Sequence, residues 1–354
     1  MLNVRCLLFV AAGVSACDHS EPFRPGAYGP DGPRTSGPLV QLTYNVGEDI
    51  GPAWRPDGAI VYSAERQDRA DRDRCLAVQP AGGGAVAVYS CRTTAANDSL
   101  DVFEGAAFGP DGRVAYARAA SHRFPVPIGP DAQALVVGTL EDPSGARVLR
   151  PLPYSVSDGP YEAVASIAWL GSTRLMFLAQ RVRYPKPCSS CAPDTVRTGL
   201  RLVTIEFSGS VPVLTELAGT DSVSSAAVSA SPDTIYVTRN GDSRVYRYAL
   251  SSGDTATVHD FGASGIARDV SVAAGRLAAV VGGDVFFVAD SILGPSQVDN
   301  GGPVRFVILA TGAESVLGAD TSRFRRPALS PDGTRVVYED WTAGRSDVWL
   351  ADVP

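Results

Sequence analysis

Short stretches of alternating apolar and polar residues recur along the chain, separated by clusters of Gly, Pro, Asp and Ser. Alternation at period two sends every second side chain to one face, the signature of a β-strand with one face packed. One unit repeats: an apolar and small segment, a Pro-Asp-Gly turn, then an alternating strand. Its clearest copies are Pro52-Ala53-Trp54-Arg55-Pro56-Asp57-Gly58 before 59–64, Ala106-Ala107-Phe108-Gly109-Pro110-Asp111-Gly112 before 113–117, and Pro327-Ala328-Leu329-Ser330-Pro331-Asp332-Gly333 before 334–339. Pro presets φ at the second turn position, Asp caps the turn with its carboxylate, and Gly takes the left-handed conformation of a three-residue hairpin loop. Weaker copies are Ser166-Ile167-Ala168-Trp169 with Gly171-Ser172-Thr173, Ala226-Ala227-Val228 with Ser231-Pro232-Asp233, and Asp269 to Val272 with Ala274-Gly275.

Each hairpin is followed by a second alternating pair, such as Arg74 to Gln79 and Val86 to Cys91, or Arg244 to Leu250 and Thr255 to Asp260. Six four-stranded units of this kind predict an all-β fold, a six-bladed β-propeller. The last unit stops at its third strand, 347–352, while 38–43 form a strand ahead of the first unit. The expected closure therefore lays the N-terminal strand on the outside of the last blade. The 354 residues, with 36 Gly and 26 Pro, suit a long repeat domain and argue against a helical bundle.

These residues resemble TolB-type propeller repeats, through the Pro-Asp-Gly hairpins, the Leu42-Thr43 strand end and the Asp347-Val348-Trp349 strand start. The resemblance spans about 38–354 and is strongest in units one, two and six. It implies an envelope-attached binding or scaffold module. TolB itself carries an extra N-terminal α/β domain, which the segment preceding residue 38 is too short to supply, so the expectation is a TolB-like protein other than TolB. The same propeller type also precedes the catalytic domain of prolyl-oligopeptidase-like peptidases, for which the sequence shows no counterpart.

The N-terminus reads as an export signal: one cation, Arg5, then an apolar run from Cys6 to Val14, then small residues. Val14-Ser15-Ala16-Cys17 resembles the bacterial lipobox, which would place cleavage after residue 16 and acylation on Cys17. The expected organisation is a signal peptide at 1–16, a lipidated Cys and Pro/Gly-rich tether at 17–37, and the propeller at 38–354. The lipid bilayer, through Cys17, is thus one predicted partner. At about 3.1 Å per residue the tether reaches about 65 Å when extended. The predicted address is the bacterial envelope, facing the periplasm or exterior.

A net charge of −7 gives no basic excess for nucleic acid. There is no Gly-x-Ser-x-Gly nucleophile elbow, and the three His are His19, His122 and His259. The residues call for no catalytic group, metal or cofactor. Glu48, Asp49, Glu104, Glu162 and Asp269 are expected to lie before inner strands, where they could line a channel mouth. Hence an alternative function is a propeller enzyme of lactonase or sugar-dehydrogenase type acting at the channel. Cys75 and Cys91 flank a Gly-rich turn and are expected to form a disulfide in an exported protein. Cys188-Ser189-Ser190-Cys191 reads as a local disulfide, with a redox pair or half a zinc site as alternatives.

The repeat is interrupted mainly between second and third strands, at 66–73, 119–132, 181–199 and 290–303. Such loops emerge on one propeller face, beside the blade-joining loops. They carry Arg66, Arg69 and Arg72, then His122, Arg123 and Phe124, then Arg181, Arg183, Tyr184 and Lys186, with Arg323, Phe324, Arg325 and Arg326 nearby on a blade-joining loop. Arg and aromatic side chains on loops of a rigid scaffold are frequent interface anchors. The expected function is therefore recognition of an envelope protein, cell-wall or carbohydrate ligand through this insertion-rich face.

Overall fold

The computed structural model describes residues 35–36, 39–43, 48–65, 74–81, 87–90, 99–122, 132–140, 146–152, 161–183, 196–231, 233–282, 285–290, 294–299, 301–342 and 346–354. Strand pairing yields six antiparallel meanders. Blade one comprises Asp49–Trp54, Ala59–Glu65, Arg74–Pro80 and Ala87–Ser90; blade two Ser99–Phe108, Val114–His122, Ala132–Gly138 and Arg147–Leu152. Blade three is Tyr161–Trp169, Arg174–Arg183, Val196–Glu206 and Val213–Glu216, and blade four Val223–Val228, Thr234–Arg239, Arg244–Ala249 and Thr255–Asp260. Blade five is Ala267–Ala273, Arg276–Val281, Val304–Ile308 and Glu314–Leu317; blade six Phe324–Leu329, Arg335–Asp340 and Asp347–Asp352. One parallel pairing, Arg74 with Val102, ties blade one to blade two.

The predicted closure is present. Leu39–Gln41 pairs antiparallel with the last strand, Leu39 opposite Ala351 and Gln41 opposite Trp349. The Leu42 N–H donates to the Val348 carbonyl at 2.8 Å, and the Val348 N–H to Thr43 Oγ1 at 2.9 Å. Ser346 then bridges onward to blade one: its carbonyl accepts the Asp49 N–H, and its buried hydroxyl donates to the Asp49 carbonyl. Thr35–Ser36 adds a further strand outside Leu39–Gln41, so ordered pairing begins within the stretch read as tether.

The Pro-Asp-Gly turns adopt the expected geometry, with Gly58, Gly112 and Gly333 at φ 83°, 79° and 69°. Each Asp accepts the backbone N–H two residues on: Asp57 from Ala59, Asp111 from Arg113, Asp332 from Thr334. Asp332 also accepts the Ser330 and Thr334 hydroxyls. These donors, the Ser330 hydroxyl first, hold its carboxyl at about 2. A depressed folded pKa contributes stability above the ordinary carboxylate range, and that contribution fades as pH falls through about 2.

Second strands depart from the alternating pattern the sequence predicts. Ile60, Val61 and Tyr62 are all buried, as are Leu175 to Ala179, Leu277 to Val281 and Val336 to Tyr338. A propeller blade is packed on both faces, so its middle strands are apolar on both, as in any doubly covered sheet. Alternate residues of one strand accordingly serve different interfaces: Ile60 and Tyr62 face blade six, Val61 faces blade two.

The core divides into six apolar clusters, one per blade interface. At each interface, the inner strand of one blade supplies a small residue and the next blade a larger one. The small residues are Ala53, Ala107, Ala168, Ala227, Ser271 and Ala328; each precedes by one position the larger residue of its own blade, which are Trp54, Phe108, Trp169, Val228, Val272 and Leu329. Thus Ala53 and Phe108 share one cluster, as do Ala107 and Trp169, Ala168 and Val228, Ala227 and Val272, and Ala328 and Trp54. Between blades five and six the Ser271 hydroxyl instead accepts the Leu329 N–H at 3.0 Å. The two Trp add a strap: Trp54 Nε1 donates to the Ala328 carbonyl at 2.8 Å and Trp169 Nε1 to the Ala107 carbonyl at 2.9 Å. Over each indole lies an Arg from the preceding hairpin, Arg335 over Trp54 and Arg113 over Trp169, centroid distances 5.0 and 5.2 Å.

Trp169→Phe should keep the packing and lose the strap, lowering stability by about 1 kcal/mol. Trp169→Ala should cost about 3–5 kcal/mol. Urea denaturation followed by tryptophan fluorescence measures both; an unchanged midpoint in Trp169→Phe would contradict the strap.

Candidate functional site at the channel mouth

In an antiparallel meander, the loop between second and third strands and the loop to the next blade share one face. The starts of the inner strands and the ends of the second strands lie there too. The described strand ends that flank the interruptions of the repeat lie on this face.

Two of them begin as strand rather than loop. In blade three the pairing of second and third strands extends to Arg183 opposite Val196, and in blade two the second strand runs on to His122. His122, Arg181 and Arg183 therefore stand on strands, because pairing continues past the point where the turn-rich sequence suggested a loop. In blade five the interruption holds a hairpin of its own, Val285–Asp290 paired with Gly294–Asp299, so it starts earlier than residue 290.

Each inner strand breaks its pairing with the second strand midway. At this break five blades hold a residue with positive φ: Gly51, Gly105, Ser166, Asp269 and Arg326, at 64°, 68°, 57°, 49° and 45°. Each stands three positions before the large residue of its repeat. A bulge of this kind frees inner-strand N–H groups from the ladder, and neighbouring blades supply acceptors. Ser166 Oγ accepts the Ala226 N–H at 3.2 Å, Ser225 Oγ the Val270 N–H at 2.9 Å, and Asp269 Oδ2 the Arg326 N–H at 3.0 Å.

Around the closure the acceptor is Glu339, at the end of the second strand of blade six and 1% exposed. Its Oε1 accepts the Gly51 N–H at 2.6 Å and Arg326 Nη1 at 3.1 Å, and its Oε2 accepts Trp341 Nε1 at 2.9 Å. The Arg325 guanidinium lies 4.5 Å from the Trp341 ring centroid. One buried carboxylate thus joins blade one to blade six and orients an Arg and a Trp on the insertion face.

Of the expected binding residues, Arg323 is exposed and Arg325 half-buried at this mouth. Phe324 is not part of the face: it is buried between Tyr338, at 4.6 Å between ring centroids, and the core of the interface between blades five and six. Strand alternation turns it away from the side of its neighbours. Arg66, Arg69, Arg72, Arg123, Phe124, Tyr184 and Lys186 lie outside the described residues, as do Cys17, Cys91, Cys188 and Cys191. Cys75 is fully buried and disulfide-bonded.

Among the channel carboxylates expected from sequence, Glu48 forms an ion pair with Arg74 and Asp49 is fully buried beside the Ser346 bridge. Asp269 sits at the bulge described above. Glu104 and Glu162 occupy the inner strands of blades two and three. Among the described residues no three His, Cys, Asp or Glu side chains group as metal ligands. Sequence reading did not single out Glu339 and Trp341. The available signal was the Arg at position 326, where the equivalent repeat position in blades one and two is Gly.

No known family description matches the sequence, and no curated protein matches it. Solved structures do. TolB from Acinetobacter baumannii is similar at TM-score 0.51 and 16% identity, over 83% of this chain and 63% of that one, so the chain spans less than two thirds of its length. A gluconolactonase from Xanthomonas campestris aligns at TM-score 0.57 and 15% identity, over 92% of this chain and 95% of that one. An oligogalacturonate lyase in complex with manganese aligns at TM-score 0.51 and 11% identity, over 91% and 95%. At these identities the likeness establishes the six-bladed propeller fold.

Glu339→Gln keeps the volume but loses the charge that holds Arg326 and replaces one acceptor with a donor facing the Trp341 N–H. It should destabilise by about 2 kcal/mol, a charge-assisted hydrogen bond's worth. Chemical denaturation checks this, and a change within error would mean that the carboxylate does not clamp the closure.

Proposed function

We propose that this chain is a lipid-anchored, extracytoplasmic propeller of the bacterial envelope that recognises an envelope protein, cell-wall or carbohydrate ligand through its insertion-rich face. The observation that carries the reading is the coincidence of two features on one face: the interruptions of the repeat in blades one, two, three and five, and the side chains of exposed Arg323, of Arg325 over the Trp341 ring, and of Trp341, whose indole N–H is held by buried Glu339. Loops on a rigid scaffold vary without cost to the core, and Arg and Trp bind by charge and by planar stacking. Acylation at Cys17 is part of the proposal, and so is a disulfide joining Cys75 to Cys91. The alternative, a lactonase or sugar-dehydrogenase type of enzyme at the channel, is supported by the fold shared with a gluconolactonase; such an activity would be sensitive to chelator or to a missing cofactor.

The test is an affinity capture from native envelopes with the chain from residue 18, beside a copy whose 184–195 segment is replaced by a short Gly-Ser turn. A partner held by the first and lost by the second is the expected result. Equal capture by both would refute the role of the insertions and move the search to the channel.

A further inference from the structure

Blade four carries no long interruption: a short turn joins its second strand, Thr234–Arg239, to its third, Arg244–Ala249, on the insertion face. The turn holds Asn240-Gly241, one of two Asn-Gly pairs in the chain, the other being Asn300-Gly301. In such a pair the main-chain nitrogen of Gly can attack the side-chain carbonyl carbon of the preceding Asn, because no Cβ on the Gly stands in the way. Whether the attack takes place in a folded protein depends on the surroundings of the two groups, and in these the two pairs differ.

Asn240 and Gly241 are both exposed. Gly241, at φ 74°, is third in a turn closed by the Asp242 N–H on the Arg239 carbonyl at 3.2 Å. The Asn240 N–H is held by the Ser222 carbonyl at 2.8 Å. Among the described residues, neither the Asn240 side-chain amide nor the Gly241 N–H has a hydrogen-bond partner. A Cβ added at Gly241 would meet nothing within 4 Å, so nothing packs against the turn there. Gly301 is placed in the opposite way. It is buried, its carbonyl accepts Arg268 Nη2 at 3.1 Å, and an added Cβ would lie 2.6 Å from the Arg323 carbonyl carbon. Asn300 itself lies outside the described residues. Gly301 is thus packed against the start of blade six, and reaction there requires a local opening.

We infer that Asn240 is a modification site, converted without an enzyme to aspartate and isoaspartate. The Gly241 nitrogen forms a bond to Cγ of Asn240 and gives up its proton; the Cγ–Nδ2 bond breaks, and ammonia leaves with that proton, giving a cyclic imide. Water then opens the ring. Cleavage of the new bond at Cγ yields aspartate, and cleavage at the main-chain carbonyl carbon yields isoaspartate, whose main chain runs through the side-chain methylene. No electrons are exchanged, and water is the one co-reactant. Either product places a new carboxylate beside Asp242 on the insertion face, and isoaspartate also lengthens the turn by one main-chain carbon.

The experiment is incubation of the full chain carrying Cys17→Ser at mildly alkaline pH, folded in one arm and in urea in the other, followed over time by peptide mapping with mass spectrometry. The mapping reads the amide-to-acid mass change at each Asn, and electron-transfer fragmentation tells isoaspartate from aspartate. In the folded arm Asn240 should convert at least about tenfold faster than Asn300, because an exposed turn needs no opening of packed structure. Isoaspartate should be among its products. In urea the two Asn-Gly pairs should convert at similar rates. Asn240→Gln should abolish the fast conversion and leave that of Asn300 unchanged. No conversion of Asn240 in the folded chain, conversion equal to or slower than that of Asn300, or the same difference persisting in urea would overturn the inference. Aspartate without isoaspartate would overturn the imide route, since direct hydrolysis of the side chain gives aspartate alone.

Discussion

The blades are held together by a small residue on one inner strand receiving a large residue from the next. An Ala beside a Trp, Phe or Val lets two sheets approach closely enough to bury both faces, which is where most of the folding free energy of such a fold arises. Five of the six interfaces use Ala, and the sixth uses Ser271 with a hydrogen bond. Because small and large are adjacent in sequence, each blade offers the small residue forward and the large one backward. The repeat unit is thereby asymmetric, and a ring closes without any blade being special in its packing.

Closure still needs covalent ends to meet. The fourth strand of blade six is Leu39–Gln41, so a strand that precedes blade one in sequence shares a sheet with the last strand, Asp347–Asp352. Ser346 and Glu339 then carry the junction inward from that sheet to Asp49 and Gly51 of blade one. Three other interfaces are bridged at the same level by Ser166, Ser225 and Asp269, and at this junction the acceptor is a fully buried carboxylate on the second strand of the neighbouring blade. A buried carboxylate demands partners, and those it has found are a backbone N–H across the seam, an Arg and a Trp on the open face. The requirement of closure and the composition of the channel mouth are in this way met by the same side chain.

Much of this was legible in the sequence. The Pro-Asp-Gly turns specify hairpins through local chemistry alone, and the unpaired strands at the two ends dictated how the ring closes. The weak fifth repeat was readable because Ala274 and Gly275 make a tight turn of two left-handed residues. Other features are set by tertiary packing. Phe324 sits between two Arg and read as surface, but the pleat turns it inward to Tyr338. Strand extension through Arg183 depends on a partner strand beginning at Val196, which local pattern does not reveal. Glu339 ends an unremarkable strand, and its importance comes from Gly51, 288 residues away.

Amide hydrogen exchange across the seam tests the central claim of a ring closed by its N-terminal strand. The account predicts that amides of 39–43 and of 347–352 are protected to a similar degree and lose protection together as denaturant is raised, because they open as one sheet. Exchange of 39–43 at the rate of an unstructured peptide, with 347–352 still protected, would contradict it.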